Sequence, residues 1–95
     1  MSKACFDSLI HAHNRLQICA LLHPVSELEF SVVKAQLEVS DSVLSKHVKA
    51  LEQANYISVA KRVSLSRPRT WLSLTELGEA AYLGHVAALR EIVGL

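Results

Sequence analysis

The clearest periodic pattern of apolar and polar residues lies between Ser40 and Asn55. Leu44, Val48 and Leu51 recur at the i, i+4, i+7 spacing of one face of an α-helix. Ser40 can cap the helix start, because its hydroxyl can accept a hydrogen bond from an unpaired N–H of the first turn. Asn55 suits the helix end, since asparagine tolerates the left-handed conformation often found there. The stretch is therefore predicted to be an amphipathic helix, with its apolar stripe widened by Val43, Ala50 and Ala54.

Two helices are predicted in the first part of the chain. Residues 4–10 have their large apolar side chains on one side, which predicts a short first helix. The run H-N-R-L-Q-I-C-A-L-L, residues 13–22, predicts a mostly buried helix that ends before Pro24. Cys19 lies on the apolar stripe of this second helix and is predicted to be a small buried hydrophobe.

A short strand and a small helix are predicted next. At residues 26–30, apolar and acidic residues alternate, which is the period-two pattern of a half-buried strand. The small helix that follows is predicted to turn Val32, Val33 and Leu37 inward. A tight turn at residues 38–40 joins it to the amphipathic helix, and the pair is predicted to form a helix-turn-helix.

Beyond the amphipathic helix the apolar period changes to two, which predicts a strand over residues 56–61. Residues 63–69 contain Ser, Pro and Arg and are predicted to form a loop. Residues 70–74 predict a second strand, so that residues 56–74 would form a hairpin with a basic tip. Trp71 is predicted to pack beneath this hairpin.

The last pattern is a long, largely apolar segment. Thr75 can cap a final helix that runs to about Val93. Apolar residues occupy nearly all of its circumference, which is typical of a helix that is buried on more than one side. In a chain of 95 residues, the second side is expected to be covered by another subunit.

Composition and charge change this picture in two ways. Apolar residues make up 51% of the chain, which is rich for one short domain and favours burial against a second copy. The net charge is only +1, but it is unevenly distributed. Residues 40–70 carry six cations and two carboxylates, a net of +4, whereas the segments on either side are net acidic. This distribution predicts one electropositive face that meets phosphate.

The polar side of the amphipathic helix carries hydroxyls and cations. Ser42, Ser45, Lys46 and Lys49 lie away from the apolar stripe. Such a helix suits a DNA major groove, where donors meet base edges and phosphates. A solvated helix face would have the same pattern, so this helix alone leaves both interpretations open. His47, between the two sides, is predicted to pack rather than to contact bases.

Two stretches resemble a known family. L-S-K-H-V-K-A-L-E-Q-A-N-Y-I, from Leu44, resembles the recognition helix and following strand of winged-helix regulators of the MarR/ArsR superfamily. S-R-P-R-T-W-L-S-L-T-E-L-G-E-A-A, from Ser66, is similar to the wing and last helix of a compact branch in which R-P-R-T-W precedes L-T-x-x-G. With the N-R-L-Q-I-C-A-L-L helix, the resemblance covers nearly all of residues 6–93. Asn55 stands where such families often have Gly, and Leu65 where a more polar wing residue is expected.

The resemblance implies an α+β, mainly α fold: a winged helix-turn-helix with a two-stranded wing and a long C-terminal helix. A single domain over residues 1–95 is expected, with the helix-turn-helix at about 30–55, the wing at 56–74 and a dimerisation helix at 75–93. The implied function is sequence-specific binding of double-stranded DNA by a homodimer joined through its N-terminal and C-terminal helices. Repression is expected over activation.

The resemblance also implies which side chains face DNA. On the recognition helix these would be Ser42, Ser45, Lys46 and Lys49. Arg67 and Arg69 bracket Pro68 at the wing tip, where they could enter a narrow minor groove. Lys61 and Arg62 are expected to contact phosphate rather than bases.

Two other functions stay open at this point. A winged helix can bind a protein, in which case the basic face would be incidental. A metal- or ligand-responsive sensor of the ArsR type is the second alternative. The available Cys and His residues match no recognised ligand spacing, so no metal site is expected; they are Cys5, His11, His13, His23 and His85.

Other classes are disfavoured by what the sequence lacks. No Gly-rich phosphate loop, nucleophile elbow or paired acid motif occurs, so neither an enzyme nor a cofactor is expected. No apolar run approaches the length of a membrane span, and neither a signal peptide nor a disulfide framework is recognised. A cytoplasmic protein with reduced thiols is therefore expected.

Overall fold

The structure, a computed structural model, describes residues 3–95. An antiparallel sheet with the strand order β1-β3-β2 packs against the helices. This arrangement confirms the expected fold class, α+β and mainly α, as a winged helix-turn-helix. The elements are α1 (His13–Leu22), β1 (Leu28–Glu29), α2 (Phe30–Leu37), α3 (Asp41–Gln53), β2 (Ile57–Ser64), β3 (Arg67–Leu74) and α4 (Glu76–Val93).

Side-chain caps and left-handed residues set the helix boundaries, as predicted for α3 and α4. The Ser40 hydroxyl accepts a hydrogen bond from the Val43 N–H at 3.2 Å, and the Thr75 hydroxyl accepts one from the Gly78 N–H at 2.9 Å. Asn55, just beyond α3, has a φ of 63°. The asparagine therefore fills the left-handed position that glycine often takes.

The apolar stripe of α3 packs into the centre of the molecule. Leu44, Val48 and Leu51 are buried, as the i, i+4, i+7 spacing predicted. They share one core with residues of α1, α2 and the sheet; its other large buried members include Ile18, Leu22, Val33, Leu37, Ile57 and Leu72. Cys19 is also buried there, and burial raises the pKa of its thiol to about 12. The prediction for Cys19 is confirmed.

The predicted helix over residues 4–10 is absent. Residues 3–7 have no regular secondary structure, and turns follow before α1 begins. The segment lies along α4 instead: the Cys5 N–H donates to the Gly84 carbonyl at 2.9 Å, and the Asp7 N–H donates to His85 Nδ1 at 2.9 Å. Tertiary hydrogen bonds at alternate residues therefore replace the helical pattern that the apolar spacing suggested.

Two valines that were predicted to face inward are exposed. Val32 in α2 and Val43 in α3 are 42% and 38% exposed. Each immediately precedes a buried residue, Val33 and Leu44, and therefore points about 100° away from it around the helix axis. The apolar faces of both helices are narrower than the sequence predicted, because only one side of each meets the core.

The strands also differ from their predicted bounds. β1 has only two residues, and Phe30 begins α2. The predicted loop over residues 63–69 is mostly strand, because β2 and β3 pair along their whole length up to Ser64 and Arg67. The two residues between them, Leu65 and Ser66, have φ values of 54° and 64°. Positive φ at both positions is the type I′ turn, whose twist matches that of the two strands.

Pro68 lies within β3 without breaking the sheet. It pairs with Val63 on β2, while β1 pairs only with Trp71 and Leu72, farther along β3. On its second side β3 therefore has no neighbouring strand at Pro68, so the missing N–H of proline is tolerated there.

No helix within residues 3–95 combines the length and the apolar character needed to cross a lipid bilayer.

Candidate nucleic-acid interface

The exposed side of α3 carries four side chains that the sequence assigned to DNA. Ser42, Ser45, Lys46 and Lys49 are all exposed, and their spacing places them on one side of the helix. The buried stripe of α3 holds this side outward. Hydroxyl and ammonium donors are thus presented together on one helix. At the start of this helix, Asp41 forms an ion pair with Lys34 at 2.9 Å.

A cleft of about 480 Å³ separates α3 from the hairpin of β2 and β3. Ser45 and Lys49 line it from α3, and Lys61 and Thr70, which pair across the two strands, line it from the hairpin. The cleft therefore brings three predicted DNA-contacting residues to one concave surface. Its remaining lining residues are Phe30, Asp41, Val48, Glu52 and Val59.

His47 of α3 contacts Arg15 of α1, and Arg15 in turn contacts the segment before α1. The Nδ1 atom of His47 lies 3.1 Å from an Arg15 guanidinium nitrogen, and Arg15 Nε donates to the Leu9 carbonyl at 2.6 Å. Burial, followed by the charges of Arg15 and Lys46, lowers the pKa of His47. A neutral imidazole is therefore favoured. It accepts a hydrogen bond from Arg15 instead of facing outward, which agrees with the packing role expected for His47.

The remaining wing cations fall on two sides of the hairpin. Side chains alternate along a strand, and Ile57 and Leu72 point into the core. Lys61 therefore shares the core-facing side, next to α3. Arg62 and Arg69, which are direct cross-strand partners, lie on the opposite side.

Arg62 is held by a carboxylate and an aromatic ring. Its guanidinium forms an ion pair with Glu27 and lies over the Trp71 ring, 4.8 Å from the ring centroid. Trp71 is half-buried, so it packs beneath Arg62 rather than in the central core.

Arg69, directly opposite Arg62 on β3, is also held by a carboxylate. Its Nη1 atom donates to Glu29 Oε1 at 2.7 Å, and the Ser31 hydroxyl donates to the other carboxylate oxygen at 2.9 Å. These hydrogen bonds, that of Arg69 first, lower the pKa of Glu29. Arg69 is therefore partly covered and charge-compensated, while Arg67 is exposed beside the turn.

The two glutamates are the part of this surface that sequence reasoning missed. Their alternation around Leu28 was used only as a sign of a strand. Which cations they meet depends on β1 lying beside β3, a pairing between residues about 40 positions apart in the chain. The two glutamates are two positions apart, whereas the arginines that they meet, Arg62 and Arg69, are seven positions apart, so no spacing in the sequence signalled these pairs.

Among residues 3–95, no group of three or more His, Cys, Asp or Glu side chains is arranged to hold a metal ion. His11 and His85 do lie together, with Nδ1 of the first 3.2 Å from Nε2 of the second. The other candidate ligands of the sequence do not join them in a cluster of that size.

Solved structures of similar fold include regulators from bacteria and archaea. A transcriptional regulator homologue from Pyrococcus horikoshii OT3 matches with a TM-score of 0.86 and 23% identity, over 90% of this chain and 85% of that one. A protein assigned to the MarR family of transcriptional regulators, from Porphyromonas gingivalis W83, matches with a TM-score of 0.70 and 21% identity, over 90% and 79% of the two chains. At these identities the likeness concerns the fold.

Sequence comparison agrees with the fold. An uncharacterised protein of Methanocaldococcus jannaschii is 28% identical over 87 residues, which cover 92% of this chain and 90% of the relative. The family model described as a winged helix DNA-binding domain matches residues 14–93. That match spans most of the chain, including α3 and the hairpin, and the protein therefore belongs to the winged helix DNA-binding domain family.

Proposed function

We propose that this protein is a homodimeric transcriptional regulator that binds double-stranded DNA in a sequence-specific manner. The observation that carries the proposal is the exposed hydroxyl and ammonium side of α3 with Lys61 facing it across the cleft. An α-helix fits the major groove of B-form DNA, and its hydroxyl and cationic side chains can contact base edges and phosphates there.

The predicted contacts divide into two groups by position. Ser42, Ser45, Lys46 and Lys49 would enter the major groove from α3. On the wing, Lys61 and Arg67 are exposed and available to phosphate. Arg62 and Arg69 could contact phosphate only after their ion pairs with glutamate are broken.

The proposed dimer follows from α4. Its last turn ends in exposed apolar residues: Ile92 is 68% exposed and Val93 is 63% exposed. Association through α4, together with the N-terminal segment that lies along it, would cover this surface. Two-fold symmetry would then place two α3 helices in successive major grooves, about 34 Å apart.

The proposed direction of regulation is repression. The protein is proposed to act in the cytoplasm, as a single domain over residues 1–95. A dimer that occupies two successive major grooves of a promoter would obstruct the polymerase.

The experiment that tests the proposal is selection of bound sites from a random duplex pool, read by sequencing. We expect enrichment of an inverted repeat whose half-sites are centred about 10 base pairs apart. Binding without an enriched motif would contradict sequence-specific recognition. Absence of binding at low salt would contradict DNA binding itself and would favour the alternative of a winged helix that binds a protein.

A further inference from the structure

The tip of the wing is apolar. Leu65 in the type I′ turn is 86% exposed, and Val63, two residues before it, is 75% exposed. Val63 pairs with Pro68, which is also exposed, so the two side chains lie together on one side of the hairpin. Because strand side chains alternate, this is the same side that carries Lys61 and lines the cleft beside α3. The helix-facing side of the wing therefore ends in a small apolar surface.

Neither packing nor backbone conformation favours leucine at position 65. Its φ of 54° lies in the left-handed region, where Gly, Asn and Asp are the preferred residues of such turns. Its side chain projects into solvent instead of into the core. A leucine that is strained and exposed at the end of a projecting hairpin is better suited to contacts with another molecule than to stabilising its own fold.

The charge around the tip favours duplex DNA as the partner. The apolar tip is flanked by Arg67 at the turn and by Lys61 farther down β2, both exposed. Within the part of the chain that the structure describes, neither of these two cations forms an ion pair. An apolar tip between free cations matches the minor groove, whose floor accepts apolar side chains while phosphates line its edges.

We infer that Leu65, supported by Val63 and Pro68, is an apolar wedge that enters the minor groove and opens a base step. The inference rests on the proposed function, because α3 in the major groove would set the wing against the flanking minor groove. Insertion of an apolar side chain unstacks the step and bends the duplex toward the major groove. Pyrimidine–purine steps open most easily, so the wing would prefer such a step without contacting the polar edges of its bases.

The test uses the full chain and a duplex of about 30 base pairs that carries the site enriched from the random pool. Donor and acceptor dyes on the two ends report bending, and a fluorescent purine analogue at each flanking step reports unstacking. The variants are Leu65→Asn, which removes the wedge while favouring the left-handed turn, and Leu65→Met, which keeps an apolar side chain. Circular dichroism and thermal unfolding verify that both variants fold.

For the wild type and Leu65→Met we expect a bend of at least about 20° and increased analogue fluorescence at one flanking step. For Leu65→Asn we expect both signals to be lost and the affinity to fall about tenfold, the effect of no longer burying a leucine side chain.

A wild type that binds the selected duplex tightly but leaves it straight and stacked would overturn the wedge and leave the proposed function intact. The same holds if Leu65→Asn binds and bends DNA as the wild type does, and the apolar tip would then be available for a protein partner. Failure of the wild type to bind any duplex would overturn the proposed function and the wedge together.

Discussion

His85 is a fully buried polar side chain in α4, and its hydrogen bonds define its protonation state. Its Nδ1 atom accepts a hydrogen bond from the Asp7 N–H, so the neutral ring carries its proton on Nε2 and donates it to Nδ1 of His11. Burial lowers the pKa of His85, the neighbouring His11 lowers it further, and Asp7 partly opposes both. Protonation of Nδ1 would set two N–H groups against each other and break the bond to the N-terminal segment.

We predict that the free energy of unfolding falls as the pH decreases below about 6.5, the ordinary pKa of histidine. In the folded state the pKa of His85 lies below this value, so the unfolded chain binds more protons and stability declines toward the lowered pKa. His47 contributes in the same direction. Urea titrations at fixed protein concentration, above and below this pH, measure the effect.

The control for this prediction is His85→Gln, which cannot titrate. The stability of the variant should depend less on pH, although its absolute stability is expected to be lower at neutral pH. An equal loss of stability on acidification in both proteins would show that His85 does not carry the effect.

Among the elements, the wing is held to β1 and to the residue just before it by two ion pairs, Arg69–Glu29 and Arg62–Glu27. They stiffen the hairpin and, at the same time, compensate two of its arginines. Phosphate must therefore compete with a carboxylate for each of these side chains.

We predict that Glu29→Gln increases the affinity for duplex DNA by about two- to fivefold, because the Glu29 carboxylate no longer competes with phosphate for Arg69. Fluorescence anisotropy over a range of salt concentrations measures the affinity. The affinity should also depend more steeply on salt, since one more cation reaches phosphate. The matched control is Glu91→Gln, which removes the same charge from the exposed end of α4.

A double variant separates this effect from a general gain in positive charge. If Glu29 acts through Arg69, Glu29→Gln should give no gain in affinity in an Arg69→Ala background. A gain of the same size in both backgrounds would contradict the competition between Glu29 and phosphate.

For α3 we predict that Lys46→Ala weakens DNA binding without destabilising the fold. The side chain is exposed and forms no ion pair among residues 3–95. Loss of one phosphate contact should reduce the slope of log K against log salt by about 0.9. Lys3→Ala removes the same charge from the N-terminal segment beside α4 and should leave binding nearly unchanged. Unchanged affinity in Lys46→Ala would contradict the placement of this side of α3 on DNA.

At the scale of the whole molecule, the chain is elongated, with principal extents of 48 × 24 × 21 Å. The residues of the hairpin tip and of the last turn of α4 are exposed. A monomer thus leaves apolar surface uncovered at α4 and presents only one α3 helix to DNA.

We predict that Ile92→Glu shifts the protein from dimer to monomer, because a charge would be buried without a partner at the proposed interface. Light scattering after size exclusion measures the mass. Affinity for the full inverted repeat should fall strongly, while affinity for a single half-site should change little. Glu91→Gln, one residue away, is expected to remain dimeric. A monomeric wild type, or a dimeric Ile92→Glu, would contradict association through the end of α4.

Elements whose signals are local could be predicted from the sequence. The caps at Ser40 and Thr75, the left-handed end at Asn55 and the i, i+4, i+7 stripe of α3 each depend on residues close together in the chain. The exposed side of α3 follows from the same periodicity. With the wing motif these features were sufficient to predict the fold class, although the roles of the exposed residues in DNA binding stay predictions.

Tertiary structure alone decided features that depend on distant partners. The N-terminal segment bonds to α4 through Cys5 and Asp7 instead of forming the predicted helix. Arg62 and Arg69 meet glutamates that only the placement of β1 beside β3 brings near, and His85 lies fully buried beneath His11. The physical reason is common to all three: these contacts join residues about 35 to 80 positions apart, and neither periodicity nor spacing along the chain encodes which of them meet.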